Sequence, residues 1–204
     1  MKYIKQFEKY IDKTKYLIDY LLYFINSVAS LNKPNLKKVE YLLKNGANPN
    51  IYDDNNCYGN MLSLSVYIAD IKLVKLMIKY HANVNSFNSI NATPLYVAAH
   101  NGYLDIVKLL VENGANIDIS NDSNVSPLMT SALNNYWDVA IYLLENNADI
   151  SNFNYFSYNT DYNFQKVFIE MHTSEFIKIF KDEKIHYRIK KEYSYLFDAN
   201  KFNL

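Results

Sequence analysis

The chain repeats itself every 33 residues. Asn60-Met61-Leu62, Thr93-Pro94-Leu95 and Ser126-Pro127-Leu128 open three successive segments, and an alanine closes each unit at Ala47, Ala82, Ala115 and Ala148. The alanine steps are 35, 33 and 33, and the two extra residues fit an enlarged loop within 51–60. A period of this length leaves few folds open. Each unit is a small supersecondary element that must bury its apolar face against copies of itself.

The best-formed unit declares its own secondary structure. Thr93 is a side-chain acceptor at a helix N-cap, and Pro94 takes the first helical position, where its missing N–H costs nothing. Leu95, Ala98 and Ala99 place small apolar groups on one face, and Asn101-Gly102 breaks the helix. Leu104, Ile106, Val107, Leu109, Leu110 and Val111 predict a second short helix, apolar round much of its girth and so covered on more than one side. Gly114 stands where a left-handed C-terminal cap is needed, and Ala115-Asn116-Ile117-Asp118 begins an extended turn into the next unit. The predicted fold class is all-α, a solenoid of stacked helix-turn-helix repeats with capping helices at both ends.

These residues carry a resemblance. Thr93-Pro94-Leu95-Tyr96-Val97-Ala98-Ala99-His100-Asn101-Gly102, followed by Leu104-Asp105-Ile106-Val107-Lys108-Leu109-Leu110 and Glu112-Asn113-Gly114-Ala115-Asn116, resembles the ankyrin repeat almost throughout. The segment Asp138-Val139-Ala140-Ile141-Tyr142-Leu143-Leu144-Glu145-Asn146-Asn147-Ala148-Asp149 is the next best match. The resemblance implies about four repeats, at 25–51, 52–87, 88–120 and 121–151. Tyr96, Ser63 and Met129 replace the family's histidine after the Pro-Leu pair, so the usual Thr–His hydrogen bonding is expected to be lost. His81 and Asn147 replace the capping glycine at positions matching Gly46 and Gly114. Each such exchange is expected to cost up to about 1 kcal/mol, with the Asn60 unit the weakest full copy.

An array needs ends. Ile4, Phe7, Ile11, Leu17, Ile18, Leu21, Leu22 and Ile25 recur at helical spacing and predict an N-terminal capping helix over 1–24. Residues 152–204 read as a degenerate fifth repeat and a C-terminal capping helix, with apolar stripes at Phe164, Val167, Phe168 and Met171 and at Phe176, Ile177, Ile179 and Phe180.

Composition narrows the partner classes. Lys+Arg and Asp+Glu are both 21, so no bulk phosphate-neutralising field exists, and a nucleic-acid partner is not expected. The single Cys57 allows no internal disulfide framework and suits a reducing compartment. The first 19 residues are too charged for a signal peptide, and 20–31 is too short to span a bilayer. The expectation is a soluble, intracellular, monomeric chain with no membrane partner. The 28 Asn and 20 Tyr against 4 Gly are what AT-rich codons encode. That bias permits an origin in a large DNA virus, an intracellular microbe or a protist. The asparagines fall at intervals, which points to structured turns.

No catalytic, metal or cofactor constellation stands out. His81, His100, His172 and His186 are scattered; Asp53-Asp54-Asn55-Asn56 lacks calcium-loop spacing; there is no phosphate-cradling glycine motif. The resemblance therefore implies a non-enzymatic protein–protein interaction module that binds through turn tips and the concave face of the first helices. Carried over residue by residue, the tip positions are Asn56, Cys57 and Gly59; Ser89, Ile90 and Ala92; Asp122, Ser123 and Val125. The first-helix positions are Tyr67, Ile68, His100, Asn101, Leu133 and Asn134, and the positions before the cap are Tyr80, Asn113 and Asn146. Two other readings stay open. One is a host-directed effector or decoy. The other is an enzyme whose site lies in 152–204, where Asp161, Glu170, His172 and Glu175 occur without a pattern that sets them together.

Overall fold

The computed structural model describes residues 12–26, 34–50 and 59–149. Among these, eight α-helices and no strand are present: α1 Lys13–Asn26, α2 Leu36–Lys44, α3 Met61–Tyr67, α4 Ile71–Lys79, α5 Pro94–His100, α6 Leu104–Glu112, α7 Pro127–Leu133 and α8 Trp137–Glu145. The N-cap expected at Thr93 is in place, and its register equivalents Ser126 and Asn60 cap their helices in the same way. Thr93 Oγ1 accepts the Tyr96 N–H at 3.1 Å, Ser126 Oγ the Met129 N–H at 3.2 Å, and Asn60 Oδ1 the Ser63 N–H at 2.9 Å. Each satisfies an orphan donor of a seven-residue helix too short to persist alone.

Left-handed backbone recurs at matching positions of the described units. His81 (φ 63°) and Asn147 (φ 67°) adopt it where Gly114 (φ 85°) does, as the substituted caps require. The turn between paired helices uses it too, at Ala69 (φ 56°), Gly102 (φ 73°) and Asn135 (φ 61°). Gly102 has a second reason to be glycine. A Cβ there would collide with the Tyr136 ring, which rests against the bare backbone.

The helices stack in two layers. α1, α3, α5 and α7 are successive neighbours in the inner layer, and α2, α4, α6 and α8 in the outer one. Between them lie Leu62, Leu73, Met77, Leu95, Leu110, Leu128 and Leu143, none more than 2% exposed. Truncating one of these leucines to alanine typically costs about 2–5 kcal/mol. The amphipathic helix expected over 1–24 runs from Lys13 to Asn26 in the described residues, burying Leu17, Ile18 and Leu21. It crosses the boundary expected at residue 24 and packs on α2 and α3, taking the inner-layer place that α3, α5 and α7 hold in their own units. The helices expected over 152–204 lie outside the described residues.

A system of asparagines joins the units. Asn48, Asn83 and Asn116 each accept, through Oδ1, the N–H two residues on, at 2.9, 3.0 and 3.0 Å. The residues so positioned reach into the next repeat. Asn50 Oδ1 accepts the Asn83 N–H at 2.7 Å and its Nδ2 donates to the His81 carbonyl at 2.8 Å. Asn85 does the same to Asn116 (2.7 Å) and Gly114 (3.1 Å). Asp118, one unit later, accepts the Asp149 N–H at 2.7 Å but has no amide to donate. Backbone groups at the exposed turns are thus satisfied by side chains across the repeat boundary.

Candidate interaction surface

Each of the two tips within the described residues is closed by one asparagine. Asn88 Oδ1 accepts the N–H groups of Ile90 (3.1 Å) and Ala92 (2.9 Å), and the Asn88 N–H donates to the Ala92 carbonyl at 3.0 Å. Asn121 repeats the arrangement with Ser123 (3.1 Å) and Val125 (3.0 Å), its own N–H donating to the Val125 carbonyl. Asn91 (φ 52°) and Asn124 (φ 59°) supply the left-handed residue, which asparagine tolerates better than most. The two tips are tied together: the Asp122 N–H donates to the Ile90 carbonyl at 3.2 Å, and Asn91 Nδ2 donates to Asp122 Oδ1 at 2.5 Å. Loops built this way present their side chains from a fixed frame.

What they present is partly apolar. Ile90 is 49% exposed and Phe87 43%, and Ser89, Asp122 and Ser123 are exposed beside them. Ala92, expected at the surface, is fully buried, because it sits immediately before the buried N-cap Thr93 with its N–H and carbonyl both bonded to Asn88. Gly59 is buried for a related reason, since a Cβ there would lie 2.6 Å from the Asn88 Cα of the neighbouring loop. Val125 is half-buried. Asn56 and Cys57 lie outside the described residues.

The ends of the inner helices add a second group. Leu133 is 38% exposed, and Asn134 and His100 are exposed. His100 is not a loose ring: its Nδ1 lies 2.9 Å from Oγ1 of the buried Thr130 on the next inner helix, and it stacks on Tyr96 at 6.0 Å between centroids. Asn101 and Asn134 spend their amides on the Val97 and Thr130 carbonyls, both at 2.8 Å. Tyr67 and Ile68 are half-buried against the core. Tyr80, Asn113 and Asn146 end the outer helices. Asn113 and Asn146 cap their own helices through Leu109 (2.7 Å) and Tyr142 (2.8 Å), while the Tyr80 hydroxyl reaches Glu40 at 3.3 Å. Phe87 and Tyr136 are not among the positions that the repeat pattern marks for binding. A lone Phe in an Asn/Ser turn was the available signal for the first; nothing local marks the second, which is exposed only by where Gly102 lets it lie.

Charge is distributed unevenly. α3, α5, α7 and the loops 82–93 and 115–126 contain no lysine or arginine, and their carboxylates are Asp118 and Asp122. Charged groups crowd the outer helices and α1 instead. There the Lys79 ammonium, 2.8 Å from Glu40, holds that carboxyl below its usual range, and Lys79 is raised in turn. Burial raises the Tyr103 hydroxyl, with Tyr136 adding to it; burial also raises Tyr142, helped by Glu112 and Glu145. Among the described residues no three of His, Cys, Asp or Glu gather as a metal site would need, and no helix is long and apolar enough to cross a membrane.

No curated protein matches this chain. A family model for ankyrin repeats, described as three copies, matches residues 26–121 and again 62–154, together more than half of the sequence. The 33-residue period, the paired helices, the left-handed caps and this match agree: the chain belongs to the ankyrin repeat family.

Proposed function

We propose that this protein is a non-enzymatic binding module that holds a protein partner across the two tips and the exposed ends of α5 and α7. Ankyrin repeats are in general protein–protein interaction modules. The observation that carries the reading here is Ile90, 49% exposed on a loop whose backbone is closed by Asn88 and tied to Asp122. A half-exposed isoleucine on an ordered frame contributes contact area without the ordering cost of a mobile loop. The surrounding surface is amide, hydroxyl and aromatic, with no cation to attract a phosphate backbone, which favours a polypeptide over a nucleic acid at this face.

The test pairs Ile90→Asp with Leu133→Asp. His100 is the poorer choice, because its ring is bonded to Thr130 and a change there disturbs the stack. The expected outcome is loss of the captured partner with a melting curve shifted by less than about 1 kcal/mol equivalent, as for surface changes. Partner capture unaffected by the pair would place the interface elsewhere.

A further inference from the structure

The outer layer separates its charges by sign along the array. α2 carries Lys37, Lys38 and Lys44 against Glu40, and α4 carries Lys72, Lys75 and Lys79 with no carboxylate. α6 and α8 reverse this, with Asp105, Glu112, Asp138 and Glu145 against Lys108. Lys37, Lys44, Lys72, Lys75 and Lys79 are exposed, and Tyr41 stands among them at 49%. Lys38 is folded over the rings of Tyr16 and Tyr20, at 5.0 and 4.3 Å. The one carboxylate, Glu40, is taken by Lys79 at 2.8 Å and Lys44 at 3.6 Å. Lys37, Tyr41 and Lys44 follow i, i+4, i+7, and Lys72, Lys75 and Lys79 follow i, i+3, i+7, so each set forms one stripe on its helix. Adjacent packed helices put the stripes about 10 Å apart.

We propose that the outer faces of α2 and α4 form a docking surface for an anionic lipid membrane. Shape selects the plane: two neighbouring helices can lay both stripes on a flat surface, whereas a nucleic-acid duplex is itself convex and meets them along a line. Chemistry points the same way. All the cations are lysines, point charges without the forked geometry that arginine uses on a fixed phosphate, and mobile headgroups move to meet them. The exposed Tyr41 ring suits the headgroup level, where aromatic residues with a polar tip collect. Magnitude also decides. Each lysine near an anionic surface is worth about fivefold in affinity, whereas an exposed one-to-one ion pair with an acidic protein is worth about one- to fivefold. The acidic faces of α6 and α8 are repelled by the same surface, which tilts the array and leaves the tips accessible. The expectation of no membrane partner rests on the first 31 residues, which include none of these lysines. These lysines sit in two segments 35 residues apart in a chain of zero net charge, and only the stacking brings them together.

The experiment is co-sedimentation of the full chain with vesicles of phosphatidylcholine, with and without about one-third phosphatidylserine. Binding is expected only to the anionic vesicles, and it should weaken as salt is raised. Lys72→Gln with Lys75→Gln is expected to lower the affinity roughly twenty-five-fold. Lys37→Gln with Lys44→Gln should act similarly, and Asp138→Asn with Glu145→Gln should not weaken binding. Circular dichroism melting confirms that each variant is folded. Absence of binding by the folded wild-type chain, or undiminished binding by both lysine-pair variants, overturns the proposal. So does displacement from the vesicles by duplex DNA at matched charge concentration, which would make the face a nucleic-acid surface.

Discussion

Asn85 Oδ1 accepts the backbone N–H of Asn116, in the following repeat, at 2.7 Å. Its amide also holds the Gly114 carbonyl at 3.1 Å, so one exposed side chain satisfies both a donor and an acceptor of a neighbouring turn. Asn85→Ala is expected to destabilise by about 1–2 kcal/mol, the sum of two ordinary net hydrogen bonds, and Asn85→Asp by about half of that. Asp118→Asn, which supplies the amide missing one unit later, should stabilise by up to about 1 kcal/mol. Urea midpoints at unchanged m-value measure all three.

Two glycines with similar backbone conformation differ in their surroundings. A Cβ on Gly114 (φ 85°) would meet nothing within 4 Å, while one on Gly102 (φ 73°) would run into the Tyr136 ring. Gly114→Ala should cost about 1 kcal/mol from backbone strain alone, and Gly102→Ala about 2 kcal/mol. Only the second should disturb the near-ultraviolet signal of the displaced tyrosine. Ala69→Gly and His81→Gly, at φ 56° and 63°, should each stabilise by about 0.5–1 kcal/mol in thermal unfolding.

Alkaline stability follows from Tyr103 and Tyr142, both raised in the fold, chiefly by burial. A group whose folded pKa lies above its unfolded one stabilises fully below the unfolded value, near pH 10 for tyrosine, and that contribution is lost as pH rises through the folded pKa. The melting temperature should therefore fall above about pH 10. Tyr103→Phe and Tyr142→Phe should flatten the fall, and absorbance titration of tyrosinate checks the assignment.

The tip frame can be undone without the stack. Asn121→Ala removes the acceptor shared by the Ser123 and Val125 N–H groups and should cost about 1 kcal/mol. Hydrogen exchange should quicken at those two amides while the amides of α5 and α6 stay protected. Uniform acceleration would mean that the tip supports the whole array.

The sequence by itself determined the repeat, its helix pairs and its special backbone positions. Thr93 and Ser126 are caps because their hydroxyls accept an orphan N–H of the first turn, and His81 and Asn147 turn left-handed because the period places them where Gly114 stands. These are local constraints, read within a few residues. Tertiary structure decided what local reading cannot reach. Ala92 counts as a tip by register yet is sealed by Asn88; Asn113 and Asn134 look like free amides yet cap their own helices; the helix expected as a cap over 1–24 takes a full inner-layer place. The asparagine surplus showed where turns fall, but not that Asn50 and Asn85 bind the next repeat. The lysines of α2 and α4 form one face only because stacking sets residues some 35 positions apart side by side. Period and backbone handedness are properties of the chain, whereas burial, partners and shared faces exist only once neighbouring repeats are in contact.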